Sequence, residues 1–403
     1  MSVDLSILTL NCWGIPIVSK NRKARMKAIG EILTNGKFDV VCLQEVWSNA
    51  DYEIISTLAK SALPYGHYFH SGVVGSGICI LSKYVIKETF FHQWPVNGYI
   101  HKLQHGDWFG GKGVALCRIQ VSSYIVNVYS AHFHAEYNRI FDEYRAHRVM
   151  QAFDTAQFIR LTSGSANAVI LAGDLNTEPN DLEYRLLLES SNLRDSFTVK
   201  NVCNIEENGT NECARNSYTP AKLCRSRPEG KRIDYILYKP GRHTVCDLIK
   251  YCLPFPDRVP TCSFSYSDHE AVQILLKLSP PSGDTDETDS NSPLMMTLKE
   301  GLEVCKQSLQ NLHRRKIFFY IFALICVILL LTIANINVPY QFKVLIVFIE
   351  LFLSFTLFFN ILMATLWDSM ERNATYATIH SMELFLKYVA KVTNDDEESP
   401  FQL

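Results

Sequence analysis

Two apolar stretches close to the C-terminal end constrain this 403-residue chain more than any other feature. Ile317–Ala334 is 18 residues long and carries no charge, and Val344–Leu366 is a second such run whose polar interruptions are led by Glu350 and Asn360. A helix needs about 20 such residues to cross the hydrocarbon core of a bilayer. The break Asn335-Ile-Asn-Val-Pro339 lies between the two runs, so they predict a hairpin of two transmembrane helices, 317–334 and 344–366. No soluble domain remains at that end to bury them as core helices. His313-Arg314-Arg315-Lys316 precedes the first span, whereas the turn offers Lys343. The positive-inside rule then keeps both termini, including the tail 367–403, in the cytosol. The same basic residues, Arg314, Arg315 and Lys316, are candidates for contact with anionic lipid. Glu350 is costly in lipid; it marks either a polar partner across the hairpin or an interfacial position.

Upstream of the spans, Leu298, Leu302, Cys305, Leu309 and Leu312 recur at helical spacing, predicting an amphipathic juxtamembrane helix over 298–316. Residues 279–297 are rich in Pro, Ser, Asp and Thr (SPPSGDTDETDSNSP) and read as a disordered acidic linker. Residues 1–278 then form one catalytic-sized α/β domain. Strands are expected at Leu5–Asn11, Val40–Glu45, Gly77–Leu81, Gly113–Val121, Ile125–His132, Ala168–Leu175, Asp234–Tyr238 and Glu270–Lys277. Helices are expected at Arg22–Thr34, Ala50–Ser61, Asn138–Leu161 and Asp181–Ser190. Hairpin-like neighbours such as Gly113–Val121 and Ile125–His132 interrupt any regular strand-helix-strand rhythm, so the sheets are expected to be mixed.

The formal net charge of −2 provides no general attraction to a nucleic-acid backbone, and no nucleic-acid partner is expected. The N-terminal segment lacks a basic region followed by a long apolar run, which places synthesis of the catalytic region in the cytosol. The twelve cysteines form no CxxC pair, and Cys42, Cys79 and Cys117 lie in apolar runs; they read as reduced, buried thiols. Cys203, Cys213 and Cys224 share one loop region but fit no zinc spacing.

Polar residues with chemical potential stand at strand ends. Asn11 closes LSILTLN, Glu45 closes VVCLQE, His132 closes YSAH, and Asp174 and Asn176 sit two apart in ILAGDLN. Asp234 opens the strand in RIDYI, and Asp268-His269 precedes the last one. An oxygen-rich set with few soft ligands suits Mg²⁺, a hard cation that leaves positions open for a substrate phosphate. Two histidines beside such a cation suit phosphodiester hydrolysis, one activating water and the other bonding developing phosphoryl charge. Lys112 lies in Gly110-Gly-Lys-Gly113, which is either a tight turn or a cation for the substrate phosphate; it lacks the spacing of a nucleotide-binding P-loop. The aromatic segment Phe90-Phe91-His-Gln-Trp94 with Trp108-Phe109 is either core or a face for lipid or a quaternary ammonium.

In order, LNCWG, LQEVW, SAHFH, AGDLN, RIDYI and SDHEAV resemble the endonuclease/exonuclease/phosphatase superfamily over about residues 4–277. The opening LNCWGIP together with the C-terminal hairpin is most similar to the membrane-bound neutral sphingomyelinases. The resemblance implies a four-layer α/β/β/α sandwich of two mixed β-sheets. It also implies Mg²⁺-dependent hydrolysis of sphingomyelin to ceramide and phosphocholine at a cytosolic membrane face, in the endoplasmic reticulum, Golgi or nuclear envelope. By position, Glu45 matches the principal metal ligand, with Asn11 and Asp268 beside it. His269 matches the general base and Asp234 its orienting carboxylate. Asp174 and Asn176 match the pair that positions nucleophile and phosphate, and His132 the residue that bonds a phosphoryl oxygen; His134 competes for that role. Alternatives are a phospholipase C acting on lyso-phosphocholine lipids or on another sphingolipid headgroup, an inositol polyphosphate phosphatase, a nuclease, or an inactive scaffold.

Overall fold

The structure, a computed structural model, describes residues 2–102, 104–200, 209–281, 292–337 and 339–397. The chain divides into two units, residues 1–297 and 298–403.

The first unit contains two six-stranded sheets. One is built from β1 (Val3–Asn11), β2 (Val40–Gln44), β3 (Tyr65–Tyr68), β4 (Cys79–Ser82), β11 (Val245–Cys252) and β12 (Val272–Ser279), in the order β11-β12-β1-β2-β4-β3. The other holds β5 (Ile86–Gln93), β6 (Gly113–Val121), β7 (Tyr124–His132), β8 (Ala168–Asp174), β9 (Arg194–Asp195) and β10 (Asp234–Pro240), in the order β5-β6-β7-β8-β10-β9. The β1–β2 and β7–β8 pairs are parallel and the rest antiparallel, so both sheets are mixed, as the sequence predicts. Helices α1 (Arg22–Leu33), α2 (Asn49–Ala59), α3 (Arg145–Thr162) and α4 (Leu182–Ser191) join them, with short α5 (Ser196–Val199) and α6 (Ala221–Ser226).

The layering follows from strands that are apolar on both faces, with the side-chain period of two sorting residues between two cores. In β1, Leu5 and Ile7 enter the core between the sheets, while Leu8 and Leu10 pack with Met26, Ile29 and Ile55 of α1 and α2. In β8, Ala168, Ile170 and Ala172 face the inter-sheet core, while Val169 and Leu171 pack with Ala152, Ala156 and Ile159 of α3. Helix, sheet, sheet, helix is the result.

Four strands escape the sequence reading: β3, β5, β9 and β11. All four are edge strands; β3, β5 and β11 are largely exposed and β9 is two residues long, so none has the continuous apolar run that reveals a central strand. Helix α3 begins at Arg145 rather than at 138, because Asn138 Oδ1 accepts from the Ile140 and Phe141 amides and holds that stretch as a turn.

In the second unit, α7 (Ser292–Ala334) is one helix through the expected linker end, juxtamembrane segment and first span; residues 282–291 of the linker lie outside the described residues. Helix α8 (Lys343–Leu362), a π-type turn at 363–367 and α9 (Asp368–Glu397) continue as one helical path, so the tail expected after 366 begins as helix. Both helical paths are long and apolar enough to cross a membrane, and they expose their apolar side chains. The ion pairs Lys316–Asp368, Arg315–Glu371 and Lys306–Glu383 run in opposite chain directions, which makes the polar ends of α7 and α9 antiparallel partners. Arg315 and Lys316, assigned above to anionic lipid, are therefore each paired with a carboxylate of α9.

The eleven cysteines among the described residues are all free thiols, and Cys203 lies outside the described residues.

Candidate active site

The rows of side chains that fill the inter-sheet core turn polar at one end of the sandwich. Leu5 and Ile7 of β1 continue to Thr9 and Asn11; Val126 and Val128 of β7 to Ser130 and His132; Ala172 of β8 to Asp174; and Ile236 of β10 is preceded by Asp234. Parallel pairing aligns Asn11 with Gln44 and His132 with Asp174, and antiparallel pairing aligns Asp234 with Asp174. The site residues thus share one mouth because register puts them there. Beneath them lies a polar floor: Gln44 Nε2 donates to Thr9 Oγ1 and to Ser130 Oγ, both at 3.1 Å, tying the two sheets together.

Asn11 Nδ2 stands between two carboxylates, 2.9 Å from Glu45 Oε1 and 2.9 Å from Asp174 Oδ2. Glu45 follows the last residue of β2 with φ +54°, a left-handed conformation that redirects its side chain, and the Gly14 amide bonds its carbonyl at 2.9 Å. Asn176 is also left-handed; its amide donates to Asp174 Oδ1 at 2.9 Å and its side chain to the Phe133 carbonyl at 3.1 Å. His132 Nε2 lies 3.5 Å from Asp174 and 3.9 Å from Glu45. His269 Nδ1 meets Asp234 Oδ2 at 2.8 Å, which turns Nε2 toward Asp174 at 3.9 Å. Ser267 Oγ donates to the Asn11 carbonyl at 2.6 Å and also contacts Asp268 Oδ1 at 3.2 Å, anchoring the Asp268-His269 turn.

All the sequence-predicted residues therefore gather at this mouth, with two adjustments. Lys112 is 1 % exposed and already engaged by Asp107 at 2.5 Å, His132 Nε2 at 3.2 Å and the Phe133 carbonyl at 3.0 Å. It stands behind His132 rather than free in the mouth. His134 is fully buried against Tyr144 and near Asp107, whereas His132 is the strand-register imidazole that lies beside Glu45 and Asp174.

The sequence reading missed three contributors. Asp107 sits in the loop before β6 with no strand to announce it. Thr210 Oγ1 accepts from the Ile233 and Asp234 amides at 3.1 Å, fixing the approach to β10 from a loop. Arg25, on α1 and fully buried, donates to the carbonyls of Lys20, Cys12, Trp13 and Tyr266, clamping the turn after Asn11 to the segment before Asp268. Only the oddity of an arginine in the buried face of a helix hinted at it. Arg25→Met leaves those carbonyls without their donor and is expected to destabilise the first unit by about 3 kcal/mol or more, read as a large fall in Tm of the full chain in detergent.

The electrostatics favour a cation. Burial, then the neighbouring Asp268, raises the Glu45 carboxyl to about 7. Burial and Asp234 raise Asp174 to about 6. Burial alone would lower His269, but Asp234, Asp174 and Asp268 together hold it well above the usual imidazole range. Burial and Lys112 push His132 well below it. Glu45 Oε2 is buried with no protein partner, an orphaned carboxylate oxygen of the kind a metal would satisfy. One ligand atom each from Asp174, Asp234 and His269 also lie within 4.8 Å of one another. The residues present therefore fit a divalent metal. The 2.8 Å His269–Asp234 hydrogen bond suits an oriented base better than a ligand pair, which leaves Glu45, with the neighbouring Asp268, as the other candidate cradle; Asn11 presents its Nδ2 donor to Glu45 and its Oδ1 accepts from the Trp13 amide at 2.9 Å, so its amide would have to turn over to join them.

The endonuclease/exonuclease/phosphatase family model matches residues 8–269. A Drosophila melanogaster protein named "Putative neutral sphingomyelinase" is 40% identical, covering 96% of this chain and 98% of its own. Homo sapiens sphingomyelin phosphodiesterase 2 is 40% identical over 74% of this chain and 72% of its own. A Schizosaccharomyces pombe inositol phosphosphingolipids phospholipase C is 32% identical over 68% and 69%. Among solved structures, that of D. rerio TDP2 complexed with single strand DNA product aligns with TM-score 0.53 at 18% identity, covering 68% of this chain and 98% of that one, a likeness of fold.

Proposed function

Because the chain belongs to the endonuclease/exonuclease/phosphatase family, in its neutral sphingomyelinase branch, we propose that it is a Mg²⁺-dependent phosphodiesterase that hydrolyses sphingomyelin to ceramide and phosphocholine. The observation that carries the reading is the His269–Asp234 pair, 2.8 Å apart, set against Asp174 and the orphaned oxygen of Glu45.

Asp234 fixes the His269 tautomer and leaves Nε2 to take a proton from water. The deprotonated water attacks phosphorus, the bond to the ceramide oxygen breaks, and that alkoxide takes up a proton. Asp174 and Asn176 position water and phosphate; His132 bonds a phosphoryl oxygen as charge develops. Glu45, with Asn11 and Asp268, would hold Mg²⁺, which supplies Lewis-acid stabilisation of phosphoryl charge and offsets the carboxylates that hold a proton on His269. Lys112, locked between Asp107 and His132, acts on the phosphate through that imidazole. The apolar helices would anchor the enzyme in the membrane that holds its substrate, at the cytosolic face of an endomembrane, raising the effective concentration of substrate. Arg314 remains for anionic lipid beyond the two paired basic residues.

A second reading has one specific support: the fission-yeast relative is named for inositol phosphosphingolipids. It keeps the mechanism and changes the headgroup. The test is phosphocholine release from sphingomyelin by the full chain in proteoliposomes at neutral pH, with inositol phosphosphingolipid and lyso-phosphatidylcholine alongside. Hydrolysis that requires Mg²⁺ and stops with chelator is the expected result. Activity confined to another lipid would move the substrate, and silence on all lipids with activity on an inositol phosphate or DNA would reject the proposal.

A further inference from the structure

The sequence left the aromatic segment around Trp94 and Trp108 as a candidate lipid-facing surface. Trp94 is 3 % exposed and packs edge-on against Phe133, which takes it out of such a surface, while Trp108 is half-buried against Phe109 and Phe90 is exposed. Exposed apolar side chains gather elsewhere. Among the described residues of the first unit, seven large hydrophobics are more than two-thirds exposed. Five of these are Ile17 (104%), Val18 (67%), Val73 (73%), Ile140 (83%) and Phe141 (76%). Ile15, Val74 and Tyr137 beside them are exposed as well.

These residues occupy three loops, and topology puts all three at the site's mouth. The loop 12–21 leaves β1 just after Asn11, and the loop 133–144 leaves β7 just after His132. The loop 69–78 joins β3 to β4, and the pairing of Cys79 with both Leu43 and Tyr68 sets it at the Glu45 end of β2. The loops are also linked in an arc through the segments between them. Gly14 and Gly77 both bond the Glu45-Val46 segment, at 2.9 Å each. The Val73 and Val74 amides donate to Phe109 at 3.1 and 3.2 Å, while Tyr137 donates to Asp107 at 2.5 Å. Ile17 is held in the left-handed region, φ +72°, a conformation that β-branched residues rarely adopt. Single exposed hydrophobics are ordinary, but a group of them bordering a polar site is an interaction surface.

We propose that these three loops form a rim that enters the interfacial layer of a lipid bilayer, so that the active site opens directly onto the membrane surface. The occupant is lipid rather than a protein for two reasons on the molecule. The rim borders the mouth itself, because two of its loops leave β1 and β7 just after Asn11 and His132, so a protein seated there would block substrate entry, and the same chain carries two apolar helices long enough to cross a membrane. The choice of lipid rests on the reading of a lipid substrate given above. A rim of this kind lets a lipid slide from bilayer to site without exposing its chains to water.

The test uses the full chain in sphingomyelin-containing proteoliposomes with a photoreactive benzoylphenylalanine in place of Ile17, Phe141 or, as control, Leu161. Leu161 is equally exposed (83%) but ends α3 at the opposite end of the sandwich. Lipid adducts at 17 and 141 well above those at 161 are expected; equal or absent adducts at all three would overturn the rim. In parallel, the triple variant Ile17→Ser, Ile140→Ser, Phe141→Ser should hydrolyse bilayer sphingomyelin at least tenfold more slowly while keeping its rate on a soluble short-chain analogue within about twofold. Equal loss on both substrates would sink the proposal. Adducts without hydrolysis of any lipid would leave the rim standing and remove the substrate reading instead.

Discussion

His269→Ala is expected to lower sphingomyelin hydrolysis by roughly 10²–10⁴-fold, the range for loss of a positioned general base. The imidazole holds its place through one hydrogen bond to Asp234, and no other imidazole of the described residues makes a comparable contact with a site carboxylate. Asp234→Asn tests whether the pair works as a unit: the double variant should be scarcely worse than His269→Ala alone, because residues acting together are strongly non-additive. The pH behaviour follows from the same contact. Asp234 is the first of the charges that hold His269 above the usual range against the effect of burial. In the metal-free protein Asp234→Asn should therefore bring the His269 titration down, as followed by NMR of the ring protons. Since the parent's folded value is raised, its stabilising contribution is present below about 6.5 and is lost as pH rises through that folded value. Unchanged titration in Asp234→Asn, or full activity in His269→Ala, would remove His269 from the base role.

Glu45→Gln should abolish activity yet make the metal-free protein more stable, two effects of opposite sign from one atom. The side chain is nearly buried, one oxygen has no partner, and burial with Asp268 raises its carboxyl to about 7. A raised carboxyl value means that folding favours the protonated form. Stability of the metal-free chain therefore falls as pH rises from about 4.5 to about 7, and is flat above that. The penalty at pH 8 is on the order of 3 kcal/mol, and the isosteric amide escapes it. In the parent, Mg²⁺ should restore the loss and raise Tm; in Glu45→Gln it should do neither. A metal-induced rise in Tm that survives the substitution would place the ion elsewhere, with Asp174, Asp234 and His269 as the next set to test.

Most of the site was legible before any fold was known, because its residues end strands whose inner-face rows carry a period of two. Asn11, His132, Asp174 and Asp234 continue the rows of Ile7, Val128, Ala172 and Ile236. Glu45 does not follow that rule. It belongs by alternation to the helix-facing row of Val41 and Leu43, and only its left-handed backbone turns it into the mouth. Its assignment came from resemblance to a family, not from periodicity. Lys112 shows the reverse: its glycine-rich setting suggested an exposed phosphate contact, whereas Asp107, distant from any strand signal, captures its charge.

By itself the sequence determined the class of the fold, the central strands, the two apolar helices and the polar strand ends that gather at one mouth, since periodicity and hydropathy are local properties. Tertiary structure alone decided what depends on residues far apart in the chain. It joined Thr9, Gln44 and Ser130 into a floor across two sheets, set Arg25 among four carbonyls, paired α7 with α9 through salt bridges, and brought three loops with exposed apolar side chains to the border of one mouth. Such contacts arise from how sheets register and pack, and no window along the chain contains both partners.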